Sequence, residues 1–187
     1  MPVRRAGSLA PKPWRNGHGV TRDILAGPGG EADWLLSLAD LERDAPFSSF
    51  PGMDRTFTLV AGGPVRFLFE DGGELACPPL VPILFPGERP LACRLDSGPA
   101  RALNVIADRA RFAASVAVLR LADGHAARLA AGTTALHCIT GRASVDGMVL
   151  EAGDTLVGEA PMVRAEAGPA TLLRVALDST YTRAPRP

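Results

Sequence analysis

Cysteine is scarce in this chain. Cys77, Cys93 and Cys138 are odd in number, far apart and outside any C-x-x-C spacing, which argues against a disulfide framework or a zinc cluster. Histidine is equally scarce. His18, His125 and His137 never fall two, three or four residues from one another, so a histidine-built metal site, which needs ligands converging from one strand or helix face, is not expected. Net charge is absent too: 20 basic residues balance 20 acidic ones. That removes the general electrostatic attraction to nucleic acid or an anionic membrane. No run of apolar residues approaches the ~18 needed to span a bilayer. Met1 to Ala10 carries Arg4 and Arg5 but no apolar stretch, so it does not read as a signal peptide and a cytoplasmic protein is expected. The catalytic signatures are missing as well. There is no G-x-S-x-G elbow, and Gly27-Pro28-Gly29-Gly30 is not followed by Lys-Ser/Thr, so it is not a phosphate loop.

Glycine and proline are abundant, at 20 and 17 of 187 residues, and 47% of the chain is hydrophobic. Runs of five to eight apolar-alternating residues are broken every ten or so positions by Gly, Pro or Asp, the pattern of short strands in a sandwich or barrel. Strands are expected at 20–26, 34–39, 55–61, 65–70, 81–85, 91–95, 101–107, 115–121, 134–140, 148–151, 155–157, 162–165 and 171–177. A single helical turn is expected at Arg109–Ala114. An internal repeat is also legible. Gly98-Pro99-Ala100 recurs as Gly168-Pro169-Ala170, and Leu103-x-Val105 as Leu173-x-Val175, each at the same offset. Gly87-Glu88-x-Pro90 recurs as Gly158-Glu159-x-Pro161, and Phe57–Gly62 resembles Leu136–Gly141. Constant spacing points to a duplicated β-unit. The strand–Gly–strand–Gly-Asp pattern of Thr134–Val157 resembles the hairpins of a cupin barrel.

Three segments carry more polarity than turns require. In Pro13–Ile24, Trp14, Asn16, Thr21 and Asp23 surround a Gly-kinked entry to a strand, with Thr21 and Asp23 on one face. In Asp33–Ala39 and Pro46–Thr56, Ser37 and Arg55 lie on strand faces otherwise apolar, with Phe50 and Asp54 beside them. An arginine aligned with Phe57 and Leu59 needs a partner or a ligand, and its fork suits a carboxylate. In Leu103–Val105, Asn104 shares a face with Ala102 and Ile106 and must be satisfied by backbone or ligand. Its repeat counterpart is Arg174.

Together these segments resemble one family. Pro13-Trp14-Arg15-Asn16-Gly17-His18-Gly19-Val20-Thr21-Arg22-Asp23-Ile24 is similar to the Pro-Trp-Lys-Asn-Gly-Gly-Gly-x-Thr-x-Glu-Ile signature of the HutD/Ves family. Asp33-Trp34-x-x-Ser37-x-Ala39, Pro46-Phe47-Ser48-x-Phe50-Pro51-Gly52-x-Asp54-Arg55, and Phe85-Pro86-Gly87 followed by Asn104-Val105 follow in the same order. Arg15, His18 and Asp23 depart from the pattern, which has Lys, Gly and Glu there. The resemblance spans residues 11–180. It implies an all-β bicupin of two fused cupin-like (RmlC-like) units without the usual metal histidines, and a link to histidine utilisation as an accessory or regulatory protein.

The resulting expectation has four parts: a flexible N-terminus at 1–12, an N-terminal cupin unit with a ligand pocket at 13–112, a structural C-terminal unit at 113–180 and a flexible tail at 181–187. The pocket is expected to take a small carboxylated metabolite without metal or cofactor. Urocanate and N-formyl- or formimino-glutamate are the first candidates. Arg55 would hold the carboxylate, Asn16, Thr21, Ser37 and Asn104 would orient it, and Trp14 and Phe50 would form apolar walls. Two alternatives stand beside it. One is a metal-independent enzyme using Asp23 or Asp54 as general acid/base; the other is an interaction module with a vestigial pocket. Open sheet edges also suit a homodimer.

Overall fold

The structure, a computed structural model, describes residues 1–180. Almost every element is a strand, and all strand pairs among the described residues are antiparallel. No helix among the described residues is long and apolar enough to cross a membrane. The tail expected at 181–187 lies outside the described residues.

Four sheets enclose three cores. The first large sheet runs in the order Lys12–Pro13, Val20–Gly27, Gly30–Leu41, Ala100–Asp108, Met53–Ala61, Ile83–Pro86. A smaller sheet of Ala45–Pro46, Leu91–Leu95, Val65–Phe69 and Glu74–Cys77 faces it. Phe57, Leu59, Phe67, Leu91 and Cys93 fill the space between them. Phe47, Phe57, Phe67 and Phe85 form a chain of tilted and edge-to-face rings 4.9–5.8 Å apart. The second large sheet runs Val3–Arg4, Thr155–Val157, Thr133–Thr140, Ala170–Ser179, Phe112–Leu121. It packs Leu136, Cys138, Leu156 and Leu172 against its own small partner sheet. The third core joins the two large sheets through Leu36, Leu38, Leu103, Val105, Ala135, Leu173 and Val175.

This layering explains one departure from simple alternation. Gly30–Leu41 is buried from Asp33 to Ala39 without a break. A strand with a core on each face is apolar on both. Leu36 and Leu38 face the second large sheet, whereas Leu35, Ser37 and Ala39 face the small partner sheet. Ser37 is therefore one of few polar groups placed by the chain on an inward wall.

The repeated segments occupy equivalent places. Leu103-Asn104-Val105 sits on an interior strand of the first large sheet, Ala100–Asp108, and Leu173-Arg174-Val175 on an interior strand of the second, Ala170–Ser179. Asn104 pairs with Phe57, and Arg174 pairs with Leu136. Gly62 and Gly141 repeat a tight approach. A Cβ at Gly62 would lie 2.6 Å from Ala100 Cα and Pro99 O; one at Gly141 would lie 2.2 Å from Pro169 O.

Two expectations are corrected by the pairing. The first twelve residues are tied down: Val3–Arg4 pairs with Leu156–Thr155. The buried Asp154 carboxylate holds them, accepting from Ala6 N at 3.0 Å and Arg5 Nη1 at 2.6 Å. Burial opposes the charge of Asp154, yet these hydrogen bonds keep its pKa below the ordinary aspartate value. The helical turn expected at Arg109–Ala114 is a tight turn instead. Arg111 N donates to Asp108 O, and the strand Phe112–Leu121 follows, drawn into the sheet by ten pairs with Ser179–Ala170.

Candidate functional site

Cross-strand register assembles the site. Ser37 lies opposite Asn104, and Arg55 lies opposite Ile106 on one side and Phe85 on the other. Thr21 lies opposite Ala39. These inward side chains line one wall of a cavity of about 190 Å³ between the first large sheet and the loops at 14–19 and 46–50. Trp14, Phe47 and Phe50 supply its aromatic part; Lys12, Arg15 and Glu31 stand at its margin.

Arg55 dominates the electrostatics. Its residue is 5% exposed. Its Nε donates to Asn104 Oδ1 at 2.9 Å, which orients the guanidinium. The guanidinium lies 4.0 Å from the Phe47 ring centroid, a cation–π contact worth about 0.5–2 kcal/mol. No carboxylate among the described residues pairs with it, and its two Nη atoms have no protein partner there. Burial therefore pulls its pKa down to about 9. A charge left this way in an apolar shell is costly unless an anion completes it.

Of the nine residues singled out by sequence, six are brought together: Trp14, Thr21, Ser37, Phe50, Arg55 and Asn104. Three are not. Asn16 is exposed and shapes the loop, donating Nδ2 to Pro46 O at 2.9 Å and accepting from His18 N at 3.1 Å. Asp54 follows strand alternation away from Arg55 and accepts from Arg109 Nε at 3.0 Å on the outside. Asp23 pairs with Lys12 at the sheet margin; its Oδ1 is buried without a partner, but the residue does not line the cavity. The acid/base alternative thus loses both of its carboxylates from the pocket. Glu31 does line it, but hydrogen bonds from Lys12 and then Arg15 hold its carboxyl below the ordinary glutamate value, making it a poor base.

Phe47 was missed as a pocket residue, although its motif was noticed. Leu35 and Ile106 were legible by alternation from Ser37 and Asn104. Lys12 was hidden in a stretch read as a free end. The second unit places Arg174 where the first has Asn104, but its Nε donates to Thr133 Oγ1 at 2.8 Å and its Nη2 to Ala131 O at 3.2 Å. That guanidinium thus already meets protein acceptors at two of its three nitrogens. The cysteines are buried and free. Desolvation pushes the thiols of Cys77 and Cys93 up to about 12 and that of Cys138 to about 11, so none is a ready nucleophile. Among the described residues no three His, Cys, Asp or Glu side chains gather as a metal-binding group.

A family model described as HutD matches residues 6–174. The chain belongs to the HutD family. A Pseudomonas putida relative, described as an uncharacterized 21.2 kDa protein in the hutC 3' region, is 32% identical over 117 residues, 61% of this chain and 62% of that protein. Protein Ves of Escherichia fergusonii is 36% identical over 87 residues, 46% of each chain. The matches thus span less than two thirds of either curated relative. HutD from Pseudomonas fluorescens SBW25, solved in a formate condition, superposes with a TM-score of 0.76 at 26% identity, covering 95% of this chain and 98% of that one. A cupin 2 conserved barrel domain protein from Leptotrichia buccalis superposes with a TM-score of 0.62 at 11% identity, over 95% and 97% of the two chains. At that identity the likeness concerns the fold alone. This HutD-family chain is all-β and cupin-like.

Proposed function

We propose that this HutD-family chain is a bicupin binding protein that captures a small carboxylated metabolite in its N-terminal unit, as an accessory of histidine utilisation in the cytoplasm. One observation carries the reading: Arg55, buried, oriented by Asn104 and stacked on Phe47, keeps both Nη atoms without a protein partner among the described residues. A bidentate carboxylate is the natural complement of that fork. Ser37 and Thr21 supply hydroxyls nearby, and Trp14, Leu35 and Ile106 supply apolar walls. Thr21 Oγ1 already donates to Leu38 O at 3.0 Å, so it is left to accept. Recognition in this reading uses the arginine rather than a metal. The hutC-region location of the Pseudomonas putida relative and the family name support the pathway. They favour urocanate and N-formyl- or formimino-glutamate as ligands.

Calorimetric titration of the wild type and Arg55→Ala with urocanate and with N-formylglutamate tests this. Truncating a buried charge that grips a ligand costs about 2–5 kcal/mol, roughly 30-fold or more in Kd. Binding by the wild type and its loss in the folded variant are expected. Equal affinity in both, or no response of the wild type to either acid, overturns the proposal.

A further inference from the structure

The face of the first large sheet opposite the Arg55 pocket holds a second set of convergent donors. A cleft of about 630 Å³ opens at one end of the interface between the two large sheets. Arg22, Leu38 and Arg101 enter it from the first large sheet, and His137 and Ile139 from the second. Arg22 and Arg101 straddle Asp40: Arg22 pairs with its Oδ2, and Arg101 Nε donates to its Oδ1 at 2.6 Å. One carboxylate thus faces two guanidinium groups, and the trio keeps a single net positive charge. Neither Nη of Arg101 has a protein partner among the described residues.

His137 completes the set. It is 2% exposed, and its Nδ1 lies 2.9 Å from Thr155 Oγ1. Thr155 is fully buried, and its hydroxyl has no other partner among the described residues. That hydroxyl therefore donates to Nδ1, which assigns the proton to Nε2. Burial holds the ring neutral, with its pKa lowered to about 4. The Nε2–H has no protein partner among the described residues. It is a buried donor on the wall of a cleft that also presents two arginines.

We propose that this cleft is a second ligand site, taking a small carboxylate with an apolar body. Arg101 and Arg22 face the anion, His137 Nε2–H donates to it, and Leu38, Val60 and Ile139 receive the body. The site is separate from the Arg55 pocket, because Leu38 and Asp40 project from the opposite face of the strand to Ser37 and Ala39.

Benzoate serves as the probe, with inorganic phosphate as a second arm, followed by the imidazole nitrogen resonances. Only three histidines need resolving. Benzoate should move the His137 Nε2 signal saturably in the wild type and equally in Arg55→Ala, and about tenfold more weakly or worse in Arg101→Gln. An unchanged amide spectrum certifies that Arg101→Gln is folded; Arg22→Gln repeats the test from the other strand. A His137 signal that stays still, or moves alike in Arg101→Gln, overturns the proposal. So does a response lost in Arg55→Ala, which would trace it to the other pocket. A response to phosphate but not benzoate overturns the carboxylate assignment. Because Arg55→Ala abolishes only the first pocket, failure of that reading and failure of this one are distinguishable.

Discussion

Replacing Arg55 by methionine and Asn104 by leucine together should make the ligand-free protein more stable and unable to bind. Burial lowers the Arg55 pKa by about 3.5 units from the ordinary arginine value, to about 9. At about 1.36 kcal/mol per pKa unit, that places roughly 5 kcal/mol against the charged state. The double substitution removes this cost. It also removes the Asn104 hydrogen bond, about 1 kcal/mol net, and the Phe47 cation–π contact, about 1 kcal/mol. Overpacking or a small cavity takes roughly 1–2 kcal/mol more. A net gain of about 1–2 kcal/mol remains, or about 2–8 °C in Tm for a chain of this size. The single change Arg55→Met should be close to neutral, because it leaves Asn104 Oδ1 buried and unpaired. The assay is thermal unfolding of the three proteins with and without urocanate. Ligand at about 100 times its Kd should add about 2.7 kcal/mol to the wild type and nothing to the variants. A double variant less stable than the ligand-free wild type by more than about 2 kcal/mol would refute the argument. Arg55 would then be a structural cation rather than a group held in readiness.

Three further outcomes are expected. The His137 ring is kept neutral chiefly by desolvation, against the pull of Asp154, with a pKa lowered from 6.5 to about 4. The unfolded chain takes up that proton first as pH falls, so stability is lost between pH 6.5 and 4. Denaturant unfolding should show about 3 kcal/mol of loss in the wild type beyond that of His137→Gln. Gly141→Ala should lower stability by about 2–4 kcal/mol in the same assay, because φ is +78° and a Cβ would sit 2.2 Å from Pro169 O; Gly147→Ala, at the same φ but with open space around it, should cost about 1 kcal/mol. Gly19→Ala would place a Cβ 2.6 Å from the Trp14 indole; displacing that wall should weaken urocanate about tenfold by calorimetry while leaving Tm nearly unchanged.

The fold class was legible because its determinants are local. Short alternating runs and Gly/Pro punctuation specify antiparallel strands wherever they finally pack. Strand Phe112–Leu121 was misjudged at its start because Arg109-Ala110-Arg111-Phe112 has no alternation to read, and only pairing with Ser179 draws Phe112 into the sheet. The N-terminus was misread for a similar reason. Nothing between Met1 and Lys12 signals that Asp154, well over a hundred residues away, accepts its backbone.

The pocket divided along the same line. Ser37, Arg55 and Asn104 were found because a polar residue on an apolar strand face is conspicuous in any tertiary context. Asp54 was included because it adjoins Arg55 in sequence, yet adjacency on a strand is what separates two side chains. Asn16 and Asp23 were included because they are polar beside a glycine-rich loop, and each instead serves that loop or its margin. The repeated segments sharpen the point. Each places a polar residue between a leucine and a valine on an interior strand of a large sheet, Asn104 in one and Arg174 in the other. In the second, Thr133 Oγ1 and the Ala131 carbonyl accept from the arginine. In the first, the arginine stands on the neighbouring strand at position 55, and among the described residues Asn104 Oδ1 is its one hydrogen-bond acceptor. Similar surroundings thus give an arginine whose Nε and Nη2 meet protein acceptors on one side and, on the other, a guanidinium whose two Nη atoms have no protein partner among the described residues. What distinguishes them is not the presence of an arginine but how buried it is and whether the protein itself supplies its acceptors.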